Sequence, residues 1–583
     1  GDGGTKGSIS GDIVTGSEGT LAFDRSDEIK FGGNITGGGK LVQNGSGTTF
    51  LAGANNYTGT TEVQKGTLRQ GAEGAFSAAS SYTIGQHGTL DMDGFNATIS
   101  ALNNSGTVLA GGDDKAVGRT LTITGNYSGN NGMVSLSTVL EGDNSKTDKL
   151  VVNGSTSGTT HLAIKNVGGA GAPTNEGIKV VDVKGTSDGN FTLAGDYRYK
   201  GEPAVVAGAY AYRLYKNGTD NADGSWYLRS ALTSPKPDPD PSRLYHAGVS
   251  VYEAYGRVLQ TLNTPETLRD RTEGRKAQRL GKDEFRSSVG EGSTDDSPNQ
   301  APNGAWGRMT ASYGKLSPHV STSGAGAITY NMVRAQVGMD RRFYENNQGS
   351  VTGGGFLQYS NINANVGSVH GEGNIRANGY TLGTTSTWHG NNQFYLDGLA
   401  QVTYFGNDLN SKTASRHLGD NKSALGYALS LEAGRQFDVS PEWSLTPQAQ
   451  LAFSTVKMND FHDTFGTKIR FDQSESMKLR LGTTIDYRQK WRDDQGKDEK
   501  SANLYGLFNI RQELLGRNDA VDVANVDFHG GNDRTWAETG VGGSYSWNDN
   551  NSLVYGQTSI NTSLNNFADS YELSAKIGLK ATW

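Results

Sequence analysis

The last thirteen residues of the chain decide the fold, because their side chains alternate between two kinds of surface: Tyr571-Glu572-Leu573-Ser574-Ala575-Lys576-Ile577-Gly578-Leu579-Lys580-Ala581-Thr582-Trp583. The odd positions carry Tyr, Leu, Ala, Ile, Leu, Ala and Trp, and the even positions carry Glu, Ser, Lys, Gly, Lys and Thr. Successive side chains of a β-strand point to opposite faces. This strand therefore has one apolar face and one polar face, which suits a position between lipid and water.

The same alternation recurs upstream. Three apolar faces are formed by Phe394, Leu396, Gly398, Ala400, Val402 and Tyr404, by Leu425, Tyr427, Leu429, Leu431 and Ala433, and by Trp443, Leu445, Pro447, Ala449, Leu451 and Phe453. Several faces begin or end on an aromatic residue, as in the interfacial girdles of membrane barrels. A soluble β-sandwich also alternates, but its strands usually have about 5–6 residues. The longer runs favour a barrel whose tilted strands span a bilayer with roughly 9–11 residues each.

Alternating segments after residue 300 predict about twelve strands, an even number that lets a barrel close with both ends on one side of the membrane. The predicted strands are 304–314, 326–341, 349–363, 375–389, 392–406, 422–440, 441–457, 467–491, 500–513, 533–547, 550–563 and 570–583. Polar stretches at 493–498 and 517–533 predict exposed loops. The alternation also predicts charges that face the lumen and contact a helix or water: Asp397, Glu432, Arg480, Asp486, Arg488, Glu572 and Lys576.

Composition agrees with an all-β protein. Glycine is abundant, with 82 residues against 12 prolines, and the 25 Tyr, 19 Phe and 8 Trp argue against disorder. The chain has no cysteine, which excludes disulfides and thiolate metal sites, and its net charge of −7 predicts no nucleic-acid surface. No window approaches the ~20 apolar residues of a membrane helix. The chain begins at Gly1 without an apolar signal region, so we expect a processed chain or a fragment whose export signal lies upstream.

Residues 1–229 repeat short strands that end on Gly or Asn. The motif Gly-Thr-Leu occurs at 19–21, 66–68 and 88–90, and Gly-Thr-Val follows at 106–108. The last three copies are 22 and 18 residues apart (88 − 66 and 106 − 88), in the range of repeats that add one coil at a time. Each coil contributes a few inward Val, Leu and Ile side chains, and neighbouring coils complete the core. This segment is predicted to be a β-solenoid.

A proline-rich stretch and a helix separate the solenoid from the barrel. Residues 234–241 contain four of the twelve prolines, which predicts an extended linker. Apolar residues then recur near the helical period, which predicts a helix over 243–262 that ends before Pro265. Glu253, Arg257 and Gln260 interrupt its apolar face, as suits a helix in a polar lumen. An amphipathic linker helix packed on a globular domain is the alternative.

These segments resemble the C-terminal part of type V secretion autotransporters of the AIDA and pertactin type. The resemblance rests on the passage from Gly37-Gly38-Gly39-Lys40-Leu41 to Gly66-Thr67-Leu68, on Asp223-Gly224-Ser225-Trp226-Tyr227-Leu228, on Trp306-Gly307-Arg308 and on the aromatic C-terminus. For the first passage, generic Gly- and Thr-rich β sequence is the alternative. The resemblance implies an all-β chain with a right-handed parallel β-helix stem at 1–109 (passenger-associated repeat at about 37–68), a pertactin-like autochaperone cap at 110–232, a proline-rich linker at 233–242, a lumenal α-helix with connector at 243–300, and a 12-stranded antiparallel outer-membrane β-barrel at 301–583.

The resemblance also implies a function. The barrel would insert in the outer membrane and bring its own passenger to the cell surface, while the cap, with Trp226, Tyr227 and Leu228, would fold first and template the coils before it. Implied partners are outer-membrane lipid, the barrel assembly machinery, periplasmic chaperones and, through the passenger, host-cell or sibling-cell surfaces; the barrel would be a monomer. The assembly machinery would recognise a terminal signal formed by Tyr571, Leu573, Ile577, Leu579 and Trp583.

The sequence contains no convincing catalytic motif. The nine histidines show no two-His metal spacing, the Gly-Asp-Ser-Gly of passenger serine proteases is absent, and the Gly37–Gly39 cluster lacks the context of a nucleotide loop. Some autotransporters cut themselves at an Asn-Asn pair in the helix, but Thr264 follows Asn263 here. We therefore expect no enzyme activity, cofactor or metal. The alternative function is that the β-helix itself acts as a surface adhesin.

Overall fold

The computed structural model describes the chain except residues 1–2, 6, 112–116, 233–242, 273–303, 347, 493–497 and 516–518. The predicted proline-rich linker, most of the predicted connector and the predicted loop at 493–498, apart from its last residue, lie outside the described residues. The chain divides into two compact units, Gly1–His246 and Ala247–Trp583. Within the described ranges, no helix has the length and apolar character needed to cross a membrane.

The first unit consists of short strands, most of which pair in parallel with a strand of the next coil. In chain order they are β1 (Ile13–Thr15), β2 (Thr20–Phe23), β3 (Glu28–Phe31), β4 (Ile35–Gly37), β5 (Lys40–Gln43), β6 (Thr48–Leu51), β7 (Thr61–Gln70), β8 (Ser81–Asp91), β9 (Ala97–Ile99), β10 (Ala101–Asn104), β11 (Thr107–Leu109), β12 (Thr120–Ile123), β13 (Tyr127–Thr138), β14 (Lys149–Val152), β15 (Thr156–Asn166), β16 (Ile178–Val183), β17 (Asn190–Ala194), β18 (Tyr197–Tyr199), β19 (Glu202–Ala207), β20 (Tyr210–Lys216) and β21 (Trp226–Arg229).

The later copies of the Gly-Thr-Leu motif lie directly above one another in this stack. Residues 66–69 pair in parallel with 88–91, and 107–109 pair with 89–91. Their third residues form one fully buried column, Leu68, Leu90 and Val108. The first copy lies elsewhere, because residues 20–23 pair with 40–43 in a neighbouring column. The sequence motif therefore marks the stacking register only for the last three copies.

Antiparallel strands end the parallel stack. β21 pairs antiparallel with both β16 and β20, and β18, β19 and β20 continue as antiparallel neighbours. Trp226, Tyr227 and Leu228 lie in β21 and are all buried. A solenoid whose last coil stayed unpaired would expose a strand edge and an open core. The change of direction at β16 provides the cover that such a stack needs.

The second unit contains the helices α1 (Val249–Asn263) and α2 (Leu268–Thr272) and a further series of strands. The strands are β22 (Gly304–Leu316), β23 (Val320–Ser321), β24 (Ile328–Asn346), β25 (Gly349–Ser368), β26 (Gly371–Gly390), β27 (Phe394–Ser411), β28 (Arg416–Arg435), β29 (Phe437–Asp438), β30 (Trp443–Met458), β31 (Phe461–His462), β32 (Lys468–Phe471), β33 (Ser474–Arg492), β34 (Glu499–Glu513), β35 (Asp519–Val523), β36 (Val526–Gly531), β37 (Thr535–Trp547), β38 (Ser552–Ser563) and β39 (Tyr571–Thr582).

Twelve long strands form a closed antiparallel barrel: β22, β24 to β28, β30, β33, β34 and β37 to β39. β22 pairs with β39 from Gly304–Thr582 to Lys315–Tyr571, and this ladder closes the ring. The first strand begins and the last strand ends at the same rim. The predicted twelve-stranded antiparallel barrel is therefore confirmed.

The outside of the barrel is apolar, as the alternation predicts. On β28, Leu429 and Leu431 are 58% and 55% exposed, whereas Ser430 and Glu432 beside them are buried. The apolar residues of β39 likewise point outward, with Leu573, Ile577 and Leu579 between 45% and 59% exposed. A surface that is apolar around a whole barrel belongs in lipid.

One loop prediction and one strand prediction are wrong. Five short strands, β23, β31, β32, β35 and β36, form a separate sheet that we call the loop sheet. The segment 517–533 is therefore not simply an exposed loop, since Val521, Val523 and Phe528 are at most 2% exposed. The predicted strand 467–491 is two strands of different sheets, β32 and β33. Alternation continues through the break between them, so the sequence pattern does not reveal it.

The helix begins later than predicted. Residues 243–246 are not helical but form strand bridges, Ala231 with Arg243 and Tyr210 with Tyr245. The amide of Leu244 also donates to the carbonyl of Ser230 at 2.8 Å. An antiparallel edge of the first unit thus provides backbone partners that compete with the helical periodicity of this stretch. Its observed end, Asn263, agrees with the predicted end to one residue.

The close stacking of coils predicts a strict need for glycine at position 88. A Cβ at Gly88 would lie 2.1 Å from the carbonyl oxygen of Val63 in the preceding coil. We expect Gly88→Ala to destabilise the first unit by about 1–3 kcal/mol through overpacking. The measurement is thermal unfolding of the full chain followed by circular dichroism. Gly16→Ala is the control, because its Cβ meets nothing within 4 Å; equal melting curves for the two variants would contradict the prediction.

Candidate functional site: a helix inside the barrel

Helix α1 lies inside the barrel. Every residue of the helix except Thr261 is buried, including the charged Glu253 and Arg257. The helix packs against the inner face of strands β25 to β28, β30 and β33 and against β35 and β36 of the loop sheet. A helix with polar residues on several sides is stable here because the lumen wall supplies polar partners.

The first half of α1 is bound by loop segments. The Tyr252 hydroxyl donates to Asp463 at 2.7 Å, and the Tyr252 ring meets Phe461 edge-on, with centroids 6.0 Å apart. The Glu253 carboxylate accepts hydrogen bonds from the Ser321 hydroxyl at 2.6 Å and from the Ser323 amide at 2.8 Å. Burial of an unpaired carboxylate would be costly, so these donors are what allow Glu253 to lie in the interior.

The end of α1 is bound by the barrel wall. The Asn263 side chain donates to the carbonyls of Tyr427 and Thr455, both at 3.0 Å. Arg334 donates to the carbonyl of Thr261 at 2.5 Å. The last carbonyls of a helix have no partner within it and carry partial negative charge, so a cation at this end is favourable. The wall thus fixes both the side and the end of the helix.

Ion pairs hold the short helix α2 and the turn before it. Arg269 pairs with Asp486 at 2.5 Å, and its guanidinium lies 3.8 Å from the ring centre of Tyr505. Arg271 pairs with Asp397, and both side chains are at most 3% exposed. Asp270 pairs with Lys576, and Glu266 pairs with Arg308. We call residues 247–272, which contain α1 and α2, the internal segment. Four ion pairs within six residues make 266–271 its most highly charged contact with the barrel wall among the described residues.

Four of the seven predicted lumen residues contact the internal segment. Asp397, Asp486 and Lys576 form the pairs with α2, and Glu432 accepts from the backbone amide of Leu268 at 3.0 Å.

The other three lie on the wall. Arg480 pairs with Glu432 at 3.0 Å, and Glu572 accepts from the Tyr330 hydroxyl at 2.5 Å. Arg488 is half-buried near the end of β33, opposite Asn503 in the ladder.

Sequence reasoning missed several residues of the site. Arg308 has the inward parity of β22, so strand alternation could have identified it. Glu266 and Asp270 follow the helix in a stretch without periodicity, and Asp463 lies between β31 and β32. No sequence signal indicates that these three reach the lumen.

A second cluster surrounds β21 in the first unit. The Trp226 ring meets Phe191 edge-on at 5.5 Å, and Phe191 stacks on Tyr127 at 5.8 Å. The Tyr227 hydroxyl donates to Asp223 at 2.7 Å, and Lys179 lies 3.2 Å from the same carboxylate. Partial burial raises the pKa of Asp223, but hydrogen bonds from Tyr227, Ser225 and Lys179 outweigh it and lower that pKa to about 2. Aromatic packing and charge together fix the predicted cap residues.

Among the described residues, no group of three or more His, Asp or Glu side chains is placed to hold an ion.

Three protein families match this chain. The "Autotransporter beta-domain" family matches residues 305–558, "Autochaperone Domain Type 1" matches 97–214, and "Passenger-associated-transport-repeat" matches 41–69.

Relatives are similar over most of the chain. The "Adhesin BmaC autotransporter" of Brucella suis biovar 1 is 39% identical over 98% of this chain and 16% of its own length. The "Uncharacterized protein YuaQ" of Escherichia coli is 29% identical over 83% of this chain and 35% of its own length. This chain thus spans well under half of these two relatives. The crystal structure of the transport unit of AIDA-I from Escherichia coli covers 53% of this chain and 98% of its own, with 17% identity and a TM-score of 0.40.

The buried pair Arg271–Asp397 predicts a large effect of a small change. Asp397→Asn would leave a buried guanidinium without its counter-charge, which typically costs about 3–5 kcal/mol. We expect the barrel to unfold at a lower temperature, measured by heat-dependent gel migration of the full chain. Asp438→Asn is the matched control, because Asp438 is exposed at the rim. An unchanged unfolding temperature for Asp397→Asn would show that the pair does not hold the segment.

Proposed function

Because the chain belongs to the autotransporter family of type V secretion proteins, we propose that it is the secretion and display unit of a longer cell-surface protein. The barrel lies in the outer membrane, and the β-helical passenger is displayed on the cell surface. We place the functional boundaries at 1–109 for the stem, 110–232 for the cap, 233–300 for the linker and internal segment, and 301–583 for the barrel.

The observation that carries the proposal is the path of the chain inside the barrel. The carbonyl of Ala247 accepts from Ser411, which ends β27 at the rim opposite Gly304 and Thr582. From there α1 and α2 run inward, and β22 begins at the opposite rim, at Gly304. Ala247 therefore lies at the rim opposite the two ends of the barrel. A chain that has crossed its own pore would have this topology.

The lumen charges have a retaining role in this proposal. Asp397, Asp486, Lys576 and Glu432 bind the internal segment after transport and keep it as a plug. Arg480 orients Glu432, while Glu572 and Arg488 contribute charge to the wall. The support for this role is that these groups are buried and paired, because a charge that lost its partner when the segment left would be costly to keep buried.

Folding of the passenger provides the outward bias. Folding free energy, of the order of 5–15 kcal/mol for a domain, is the driving force in this proposal. The cap around Trp226, Tyr227 and Leu228 folds first and offers the edge of its first coil to the coils before it. The assembly machinery would read the terminal strand at Tyr571, Leu573, Ile577, Leu579 and Trp583, after periplasmic chaperones deliver the chain. We propose no enzymatic activity for this segment.

Adhesion is the second candidate function. Two relatives are named adhesins, but this chain spans only 16% and 28% of them. We therefore propose that the complete protein binds host or sibling cells through coils outside residues 1–583.

The cap role predicts a specific defect for Trp226→Ala. Loss of a buried Trp costs about 3–5 kcal/mol, so the passenger should emerge but stay unfolded. Cells that display the variant should show an inserted barrel and a passenger that external protease degrades. Tyr199→Ala, at a half-buried position, should leave the passenger protected. A protected passenger in Trp226→Ala cells would refute the cap role.

Because we propose that the binding coils lie outside residues 1–583, we expect residues 1–583 to adhere weakly. Cells displaying residues 1–583 should bind host cells, and one another, no better than cells displaying the barrel alone. Adhesion assays on both displays measure this. Strong adhesion by residues 1–583 would show that the stem itself is the adhesin.

A further inference from the structure

The helix does not fill the barrel. α1 lies against β25 to β28, β30 and β33, and a cavity of about 450 Å³ occupies the other side of the lumen. Inward residues of β22, β24, β34 and β37 to β39 line this space, together with the start of β33, two residues of β30 and one side of α1. A barrel plugged by α1 alone would therefore keep a path for small molecules along one wall.

The cavity is polar and balanced in charge. Seven Lys or Arg and seven Asp or Glu side chains line it. One carboxylate oxygen of Asp533 and the amide oxygen of Asn561 are buried there without a hydrogen-bond partner among the described protein atoms. Buried polar groups of this kind are normally satisfied by water, which a polar space of this size accommodates. The polar lining and the volume of this cavity, which we call the vestibule, are those of a space that suits water.

The vestibule opens outward and ends near the middle of the barrel. His319, whose side chain is 53% exposed, lies at its outer end beyond β22. Its inner end is formed by Glu266 and Asp270, where Asp270 meets Lys576, the ladder partner of Thr310. Thr310 is the central residue of β22, so this closure stands about halfway along the wall.

We propose that the Glu266–Asp270 ion-pair cluster, rather than α1, closes the barrel to small polar solutes. Glu266 is held by Arg308 and Asp270 by Lys576, and Arg308 also donates to the carbonyl of Asp270. Two carboxylates and two cations from opposite sides of the remaining gap thus join the internal segment to β22 and β39. Removal of the carboxylates leaves Arg308 and Lys576 as neighbouring like charges, which separate and hydrate.

The test is the conductance of the full chain in planar lipid bilayers. Glu266→Gln with Asp270→Asn should raise the single-channel conductance several-fold over the parent chain. The same variant should favour anions, because seven cations then face five carboxylates, whereas the parent should show little charge preference. Heat-dependent gel migration confirms that each barrel is folded before recording.

The matched control is Glu475→Gln with Glu513→Gln. It removes two carboxylates from the outer part of the same vestibule and should keep the low conductance of the parent. Exchange of the pair, Asp270→Lys with Lys576→Glu, restores attraction and should conduct less than Asp270→Lys alone. The proposal is overturned if the folded Glu266→Gln, Asp270→Asn barrel conducts like the parent, or if both carboxylate pairs give the same increase.

Discussion

A polypeptide backbone in lipid must satisfy all its hydrogen bonds within the protein, and the rest of this structure depends on that constraint. Twelve strands meet it by closing on themselves through the ladder between β22 and β39. Closure removes every edge from the hydrocarbon and fixes both chain ends of the barrel at one rim. It also creates a lumen, because strands that alternate must turn one polar face inward wherever they turn an apolar face outward.

The polar lumen then determines what can fill it. Glu253, Arg257, Arg269 and Arg271 would be costly to bury in an ordinary core, but here each has partners. Glu253 and Arg257 pair with each other within α1 and also bind the loop residues Ser321, Ser323 and Asn532. Arg269 and Arg271 pair with Asp486 and Asp397 on the wall. A buried ion pair contributes little net stability, because the cost of desolvating both charges offsets their attraction. Loss of one partner nevertheless destabilises the fold strongly, because it leaves the other charge buried without a counter-charge. The arrangement thus specifies one position of the internal segment more than it stabilises the barrel, which suits a segment that must stop at a defined place.

The first unit solves the edge problem in a different way. Its coils stack in parallel, and each buries the apolar column of its neighbour, as Leu68, Leu90 and Val108 show. Such a stack has no natural end, and the antiparallel strands after β16 supply one. Both units therefore rest on strand pairing. In the second unit the strands close into a ring in lipid, and in the first unit antiparallel strands cover the end of the stack in water. The parallel stack can fold on the cell surface, which is compatible with earlier passage of its unfolded chain through the barrel.

Local pattern in the sequence was sufficient for the barrel, its strand number, the outward faces, the motif that stacks at 66–108 and the inward charges Asp397, Glu432, Asp486 and Lys576. Each of these follows from a period of two or from a repeat, and such patterns can be read in the sequence without knowing which segments are neighbours in space. Tertiary structure decided the rest. Residues 243–246 leave the helix because an antiparallel edge offers them backbone partners, and 519–531 folds because three other short strands, β23, β31 and β32, complete a sheet with β35 and β36. Glu266 and Asp270 become partners of Arg308 and Lys576 only when the barrel closes, because these residues are some 40 to 300 positions apart in the sequence. Periodicity within a segment cannot predict a contact over such a separation.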